Sequence, residues 1–325
     1  MRLDTFSRAA ALALGLSIAG TAHADASRIM HAVGPQGALE GTYLTPATDT
    51  APVVLIVPGS GLIDRDGNSP HGLHTDMYKL LAEDLARQGI ASVRVDKRGM
   101  FGSARAIADA NDVTIAAYAD DVRTWIATIA GTTGATCVWL LGHSEGGLVV
   151  LHAAQSPERI CGLLLVATPG RPPGTLLREQ LRANPANAAV LNPALAAIDA
   201  LETDLRVDPA TLPAALRTLF RANVQGFLID LFGLEPAQLA RVYAGPALVL
   251  QGERDLQVRP VDAERLAAAL PDGEHVVLRQ MNHVLKAVPA NDITANFGAY
   301  TDPTLPLAPG LVEAMVRFIF AHTTR

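Results

Sequence analysis

Between residues 38 and 170, and again from 245 onward, short apolar runs alternate with stretches of helical periodicity, and this rhythm narrows the fold more than any other feature. The runs "GALEGTYLTP", "APVVLIVPG", "IASVRVD", "CVWLLG", "ICGLLLVAT", "PALVLQG" and "EHVVLRQ" read as strands. Among them stand "TDMYKLLAEDLARQG", stopped by Gly89, then "TIAAYADDVRTWIATIA", "EGGLVVLHAAQ", "VDAERLAAAL" and a final "LVEAMVRFIFAH". These space their apolar residues as helices do. Buried strands separated by helices imply a mostly parallel sheet with helices on both faces, an α/β fold.

The rhythm breaks at residues 171–244, where Leu- and Ala-rich stretches such as "PGTLLREQLRAN" and "LPAALRTLFRAN" are punctuated by prolines and offer no good strand. The simplest reading is one core domain, residues 25–170 and 245–325, carrying a helical insertion at 171–244. Ahead of the core, "MRLDTFSR", the apolar "AAALALGLSIAG" and the small-x-small Ala22-His23-Ala24 form a secretory signal, residues 1–24, with cleavage expected after Ala24. The expected location is therefore periplasmic or secreted. That apolar run is short for a bilayer span, and no later stretch reaches the ~20 residues needed, so stable membrane association is not expected.

Apolar residues make up 49% of the 325, enough for a substantial core. The formal charge of −6, with no run of Lys or Arg, argues against nucleic acid and anionic membrane surfaces as partners. Nothing indicates an oligomeric state. The two cysteines, Cys137 and Cys161, each open an apolar run. On neighbouring parallel strands they would lie near the same sheet edge, where a disulfide is geometrically open; two buried thiols are the alternative.

The chemistry centres on "LLGHSEGG", which sets Gly142-His143-Ser144-Glu145-Gly146 at the junction of a buried strand and a helix. That is the context in which G-x-S-x-G makes an elbow presenting its serine above a sheet. Glu145 opens the helix, so its backbone N–H can donate to a developing oxyanion. A serine hydroxyl needs a base oriented by an acid, and these elbows take the acid and then the histidine later in the chain. Asp255 lies a few residues beyond "PALVLQG", with Glu253 and Asp262 as rivals. His283, in "QMNHVL", follows the last strand. The other histidines suit the role less: His143 is in the elbow itself, His71 and His74 come too early, and His31, His152, His275 and His322 lack the topology.

The motifs "PGSGLIDRDGN", "DKRGMFGS", "GHSEGG", "LQGERDLQV" and "MNHVLK" together resemble the α/β-hydrolase superfamily, and more closely exported bacterial carboxylesterases with a serine-aminopeptidase-like hydrolase domain. The resemblance runs from about residue 38 to 322 and is weakest in the insertion. It implies a Ser144–His283–Asp255 triad acting on small-molecule carboxylic esters, with no cofactor and no metal, and a helical lid above the serine. Asp96 and Arg98 would support their loop. Phe220, Phe227 and Phe232 would line an acyl pocket or pack the lid upon itself. An amidase using the same triad would need a lid carboxylate, such as Asp230 or Glu202, for a substrate α-amine. A binding protein that has merely kept the fold would have been expected to lose one triad member.

"PGSGLIDRDGN", residues 58–68, has the glycines and carboxylates of an ion- or phosphate-binding loop. It lacks the closing glutamate of a calcium loop, the Gly-Lys-Ser/Thr of a phosphate loop and the third glycine of a dinucleotide fingerprint. Its place directly after "VVLIV" is where hydrolases of this superfamily supply the second oxyanion donor. Backbone N–H groups of Ser60 or Gly61 would pair with that of Glu145, and Asp64 and Arg65 would brace the loop.

Overall fold

A computed structural model describes residues 26–46 and 51–323; the expected signal segment and its cleavage point lie outside them. Two strands, β1 (Ala26–Val33) and β2 (Ala38–Thr45), form an antiparallel hairpin. The wholly buried β3 (Val53–Val57) leads into a loop carrying a small hairpin, β4 (Asn68–Ser69) and β5 (Leu73–His74). Then come α1 (Met77–Arg87), β6 (Ala91–Val95), α2 (Ile115–Thr133), β7 (Val138–His143), α3 (Glu145–Ala153) and β8 (Ile160–Val166). The insertion supplies α4 (Pro173–Ala183), α5 (Leu191–Glu202), α6 (Gln225–Phe232) and α7 (Pro236–Val242). The core resumes with β9 (Ala247–Gly252), α8 (Pro260–Ala269), β10 (Gly273–Leu278), α9 (Ile293–Gly298) and α10 (Leu311–Thr323).

The main sheet has eight strands in the order β1-β2-β6-β3-β7-β8-β9-β10, parallel from β6 to β10, with β2 antiparallel to β6. Strand β1 is absent from the sequence reading because only Met30 and Ala32 face inward, leaving too little alternation to detect. One apolar layer joins the sheet to α2, α3 and α8 through Trp125, Ile129 and Leu266. The other joins it to α1 and α10 through Leu81, Leu85 and Phe318. Burying Val, Leu and Ile side chains at ~1.5–3 kcal/mol each makes these two layers the main source of cohesion.

The insertion has a core of its own, built from Ile198, Leu201, Phe220 and Phe232. The stretch "LPAALRTLFRAN", residues 212–223, forms one short 3-10 turn, Ala214–Leu216, and a second, Pro209–Thr211, precedes it. Helix α7 differs from the rest of the insertion: it packs on α3 and α8, and its Ala240 lies in the sheet's core. The Cys137 and Cys161 sulfurs are bonded, with Cα atoms 5.2 Å apart, at the amino-terminal ends of β7 and β8. Among the described residues, no helix is long and apolar enough to cross a membrane.

Candidate active site

The parallel strands all end at one edge of the sheet, and the candidate residues gather there. Ser144 follows β7 with φ 54° and ψ −123°, a conformation that costs a non-glycine residue of order 1–3 kcal/mol. Its N–H donates to the Val166 carbonyl at 2.9 Å, and its carbonyl accepts from Gly147 N–H at 2.9 Å, so strand and helix hold the turn from both sides. The flanking glycines are sterically required. A Cβ on Gly142 would stand 2.4 Å from the Gly146 carbonyl oxygen, and one on Gly146 would stand 2.3 Å from that of Val57.

His283, in the loop after β10, shares a 2.8 Å hydrogen bond between its Nδ1 and Asp255 Oδ2. Asp255 is buried in the loop after β9. Its Oδ1 accepts from the N–H groups of Gln257 and Val258 at 2.8 and 2.9 Å, and its Oδ2 from Gln251 Nε2 at 3.3 Å. The rivals are occupied elsewhere. Glu253 is exposed, and Asp262 binds the Arg171 guanidinium together with the backbone N–H groups of Gly170, Arg171 and Arg259, tying the start of the insertion to α8.

Across from these lies the loop after β3. Gly59, Ser60 and Gly61 line the same cavity as Ser144 and His283, with Gly61 at φ 85°. Asp64 and Arg65 stand outside that cavity. Asp64 Oδ1 accepts from the N–H groups of Asp66 and Asn68, closing the turn. Arg65 reaches Asp96 through Nε at 3.0 Å and Nη2 at 2.5 Å, and Glu40 through Nη2 at 2.5 Å. Arg98 pairs with Asp121 on α2 at 2.6 Å, so Asp96 and Arg98 both serve loop structure.

The cavity measures about 910 Å³, the size of a small-molecule site. The insertion covers it with Leu177, Leu219, Phe227, Leu228 and Phe232, while Phe220 packs inside the insertion. Phe227 also meets Tyr118 edge-on at 6.3 Å. The lid carboxylates are engaged away from the cavity: Asp230 accepts from Ile115 N–H at 2.6 Å, and Glu202 pairs with Arg178 at 2.6 Å. Among the described residues, no three His, Cys, Asp or Glu side chains are grouped to hold a metal ion.

A family model described as serine aminopeptidase, S33, matches residues 70–217, a span that contains Ser144 but neither Asp255 nor His283. The solved structure of Est1E from Butyrivibrio proteoclasticus superposes with a TM-score of 0.57 at 16% identity, over 91% of this chain and 99% of that one. The chain has the α/β-hydrolase fold. A thermophilic esterase from Thermogutta terrifontis aligns with a TM-score of 0.51 at 22% identity, over 79% of this chain and 92% of its own. Esterase EstD of Thermotoga maritima is 25% identical over 242 residues, 72% of this chain and 54% of EstD, so the chain spans about half the length of that curated relative. A bromoperoxidase from Bacillus anthracis also shares the fold, with a TM-score of 0.54 at 15% identity over 90% of this chain and 100% of its own, so fold alone does not assign the reaction.

Two connections of the candidate site are missing from the sequence reading. His143, wholly buried, links the two loops around the serine. Its Nε2 lies 2.8 Å from the His283 carbonyl, which can only accept, so this nitrogen carries the proton. Burial, reinforced by neighbouring His283, pushes its pKa down to about 3, and the ring is neutral at working pH. Its Nδ1 therefore accepts from the Tyr78 hydroxyl at 2.8 Å, and the Tyr78 oxygen accepts from Gly59 N–H at 3.1 Å. The second connection is Lys97, just beyond β6, whose Nζ is 2.9 Å from Glu145 Oε1 and 2.7 Å from the Gly59 carbonyl. A lysine next to a buried strand end and a glutamate inside the elbow motif were the available signals.

Proposed function

We propose that this hydrolase is a serine carboxylesterase cleaving short- to medium-chain carboxylic esters through an acyl-enzyme. The observation that carries the proposal is the 2.8 Å His283–Asp255 pair beside the cavity into which the strained Ser144 turn projects. With Nδ1–H given to Asp255, His283 keeps Nε2 as a base. It takes the Ser144 hydroxyl proton as Oγ bonds to the ester carbonyl carbon and the carbonyl electrons move onto oxygen. Collapse of that intermediate breaks the bond to the alcohol, which takes the proton from His283. Water, deprotonated by the same nitrogen, then releases the acid and restores Ser144. Backbone donors at Glu145 and at Ser60 or Gly61 stabilise the oxyanion, each worth about 3 kcal/mol in the transition state. The apolar lid lining suits an uncharged acyl group. The esterase-named proteins of similar fold or sequence, from Thermogutta terrifontis and Thermotoga maritima, agree with this reading.

The serine-aminopeptidase match makes an amidase the alternative. Such an enzyme needs a carboxylate for the substrate α-amine, whereas the acidic side chain lining the cavity is Glu145, already paired with Lys97. Turnover of p-nitrophenyl butyrate and of an aminoacyl p-nitroanilide separates the two readings. The ester should be cleaved faster, and its cleavage should vanish in Ser144→Ala; faster turnover of the anilide would overturn the proposal. Loss of fluorophosphonate labelling in the same variant sets the enzyme apart from a binding protein of this fold. We also propose export, supported by the signal-like residues 1–24 and by a disulfide, which oxidising compartments favour. Export predicts a mature chain beginning near Asp25.

A further inference from the structure

Lys97 carries a buried ammonium that the chemistry above does not use. Its side chain is 4% exposed, and that of its partner Glu145 is 5% exposed. The Nζ donates to Glu145 Oε1 at 2.9 Å and to the Gly59 carbonyl at 2.7 Å, and it lies 5.2 Å from the centre of the Tyr118 ring. Stability is a weak explanation for such a pair, because an apolar pair of similar volume is often as stabilising or more so. Its location offers a better one. In the sheet β6 and β7 flank β3, so residues just beyond β6 and β7 face one another across the loop that leaves β3. Gly59 lies in that loop, between Lys97 and Glu145.

We infer that Lys97, with Glu145, is a positioning pair that builds the oxyanion hole and selects Ser60, rather than Gly61, as its second donor. This rests on the esterase reading. The Gly59–Ser60 peptide is trans, so its C=O and N–H point in opposite directions. Fixing the Gly59 carbonyl on Nζ therefore aims the Ser60 N–H away from Lys97. The Gly59 N–H is held by Tyr78, so both peptide units of this residue are fixed. A Cβ on Gly59 would stand 3.1 Å from Ser144 Cβ, which places this backbone directly against the nucleophile. The other donor belongs to Glu145, whose carboxylate is bound by the same ammonium. One nitrogen thus sets the separation of the two donors. The cation on the Gly59 carbonyl also polarises that peptide and strengthens its N–H as a donor. Lys97 acts through these backbone groups and is a positioning residue.

The test compares wild type with Lys97→Met/Glu145→Gln, which leaves no unpaired buried charge, and with Lys97→Arg, which keeps the charge but replaces a point contact by a planar fork. With p-nitrophenyl butyrate, both variants should lose about ten- to hundredfold in kcat with KM within twofold, less than deletion of a donor. Affinity for an alkyl trifluoromethyl ketone, whose adduct with Ser144 bears the oxyanion, should fall by the same factor. Affinity for the matching secondary alcohol, which forms no oxyanion, should not change. A purely structural role would not split the two inhibitors. Should the double variant fail to fold, Lys97→Arg carries the comparison. Variants that bind the ketone like wild type, or that raise KM while keeping kcat, overturn the assignment and leave the esterase reading standing. A wild type that neither cleaves the ester nor binds the ketone overturns both.

Discussion

Replacing Arg65 with methionine keeps most of the stem's volume and removes a charge held between two carboxylates. Asp96, with 1% of its side chain exposed, accepts from Arg65 Nε and Nη2, from Arg65 N–H at 2.8 Å and from Gly102 N–H at 2.9 Å. Removing one partner of a buried ion pair costs roughly 3–5 kcal/mol. Two backbone donors stay on Asp96, and Glu40 is partly solvated, so the loss should fall at the lower end, about 3 kcal/mol in urea unfolding. Arg65 does not line the cavity, so substrate affinity should hold. Arg65 does anchor the loop that carries Ser60, and a displaced oxyanion donor lowers kcat. A donor deleted outright costs about a hundred- to a thousandfold, so one displaced by a slackened loop should cost about tenfold. Urea titrations with steady-state kinetics on p-nitrophenyl butyrate supply both numbers. Arg65→Met/Asp96→Asn, which removes the stranded carboxylate charge as well, should recover much of the stability but not the kcat. A raised KM with kcat intact would refute the bracing role; lost stability with unchanged kcat would show that the network serves the fold alone.

The disulfide and a buried lysine give two further expectations. Cys137 and Cys161 are 24 residues apart, so Cys137→Ser/Cys161→Ser should lower stability by about 3 kcal/mol. The bridge sits at the strand ends remote from Ser144, so kcat at 25 °C should not change, and a variant as stable as wild type would count against the bridge. Lys286 is fully buried, its ammonium donating to the Leu305 carbonyl, and desolvation pushes its pKa down to about 8 against 10.5 for a free lysine. Between those values the unfolded chain keeps a proton that the folded chain releases, so wild-type stability should rise with pH relative to Lys286→Met. Below pH 8 the difference between the two should be flat; a difference flat through pH 10 would mean that the buried amine is solvated.

The strands that stood out most directly in the sequence were the uniformly buried ones. Strand β3 and the apolar body of β7 read directly because both faces of a central parallel strand are covered. The edge strand β1, exposed along most of its length, left no such mark. The insertion was recognisable only as a break in rhythm, since its core is assembled from helices and turns whose contacts are not periodic. The pairing of the cysteines depended on a register irregularity. Val138 pairs with Ile160 and Trp139 with Gly162, which leaves Cys161 as an extra residue between two paired ones, beside Cys137. One inserted residue reverses the side to which a strand's side chains point, and apolar runs of this kind carry no trace of it.

The candidate site divides along the same line. Ser144, Asp255 and His283, the proposed triad, could be picked out because each follows a strand of the parallel sheet, and strand order along the chain sets the order of the roles proposed for them. The side chains that hold the site together follow the order of strands across the sheet, a separate variable. Asp262 illustrates this: along the chain it stood close enough to rival Asp255, and in space it belongs to the hinge of the insertion, bound to Arg171. Lys97 and Glu145 are 48 residues apart and meet because β3 is inserted between β6 and β7. Given that order, opposite charges one or two residues beyond two strands separated by a third become a recognisable signal. They must converge over the intervening strand's loop, and when burial denies them water, the groups left to bind are each other and that loop's backbone. Here that backbone is Gly59, next to Ser144, so the order that hides Lys97 from a linear reading is also what brings it to the loop proposed to hold the oxyanion.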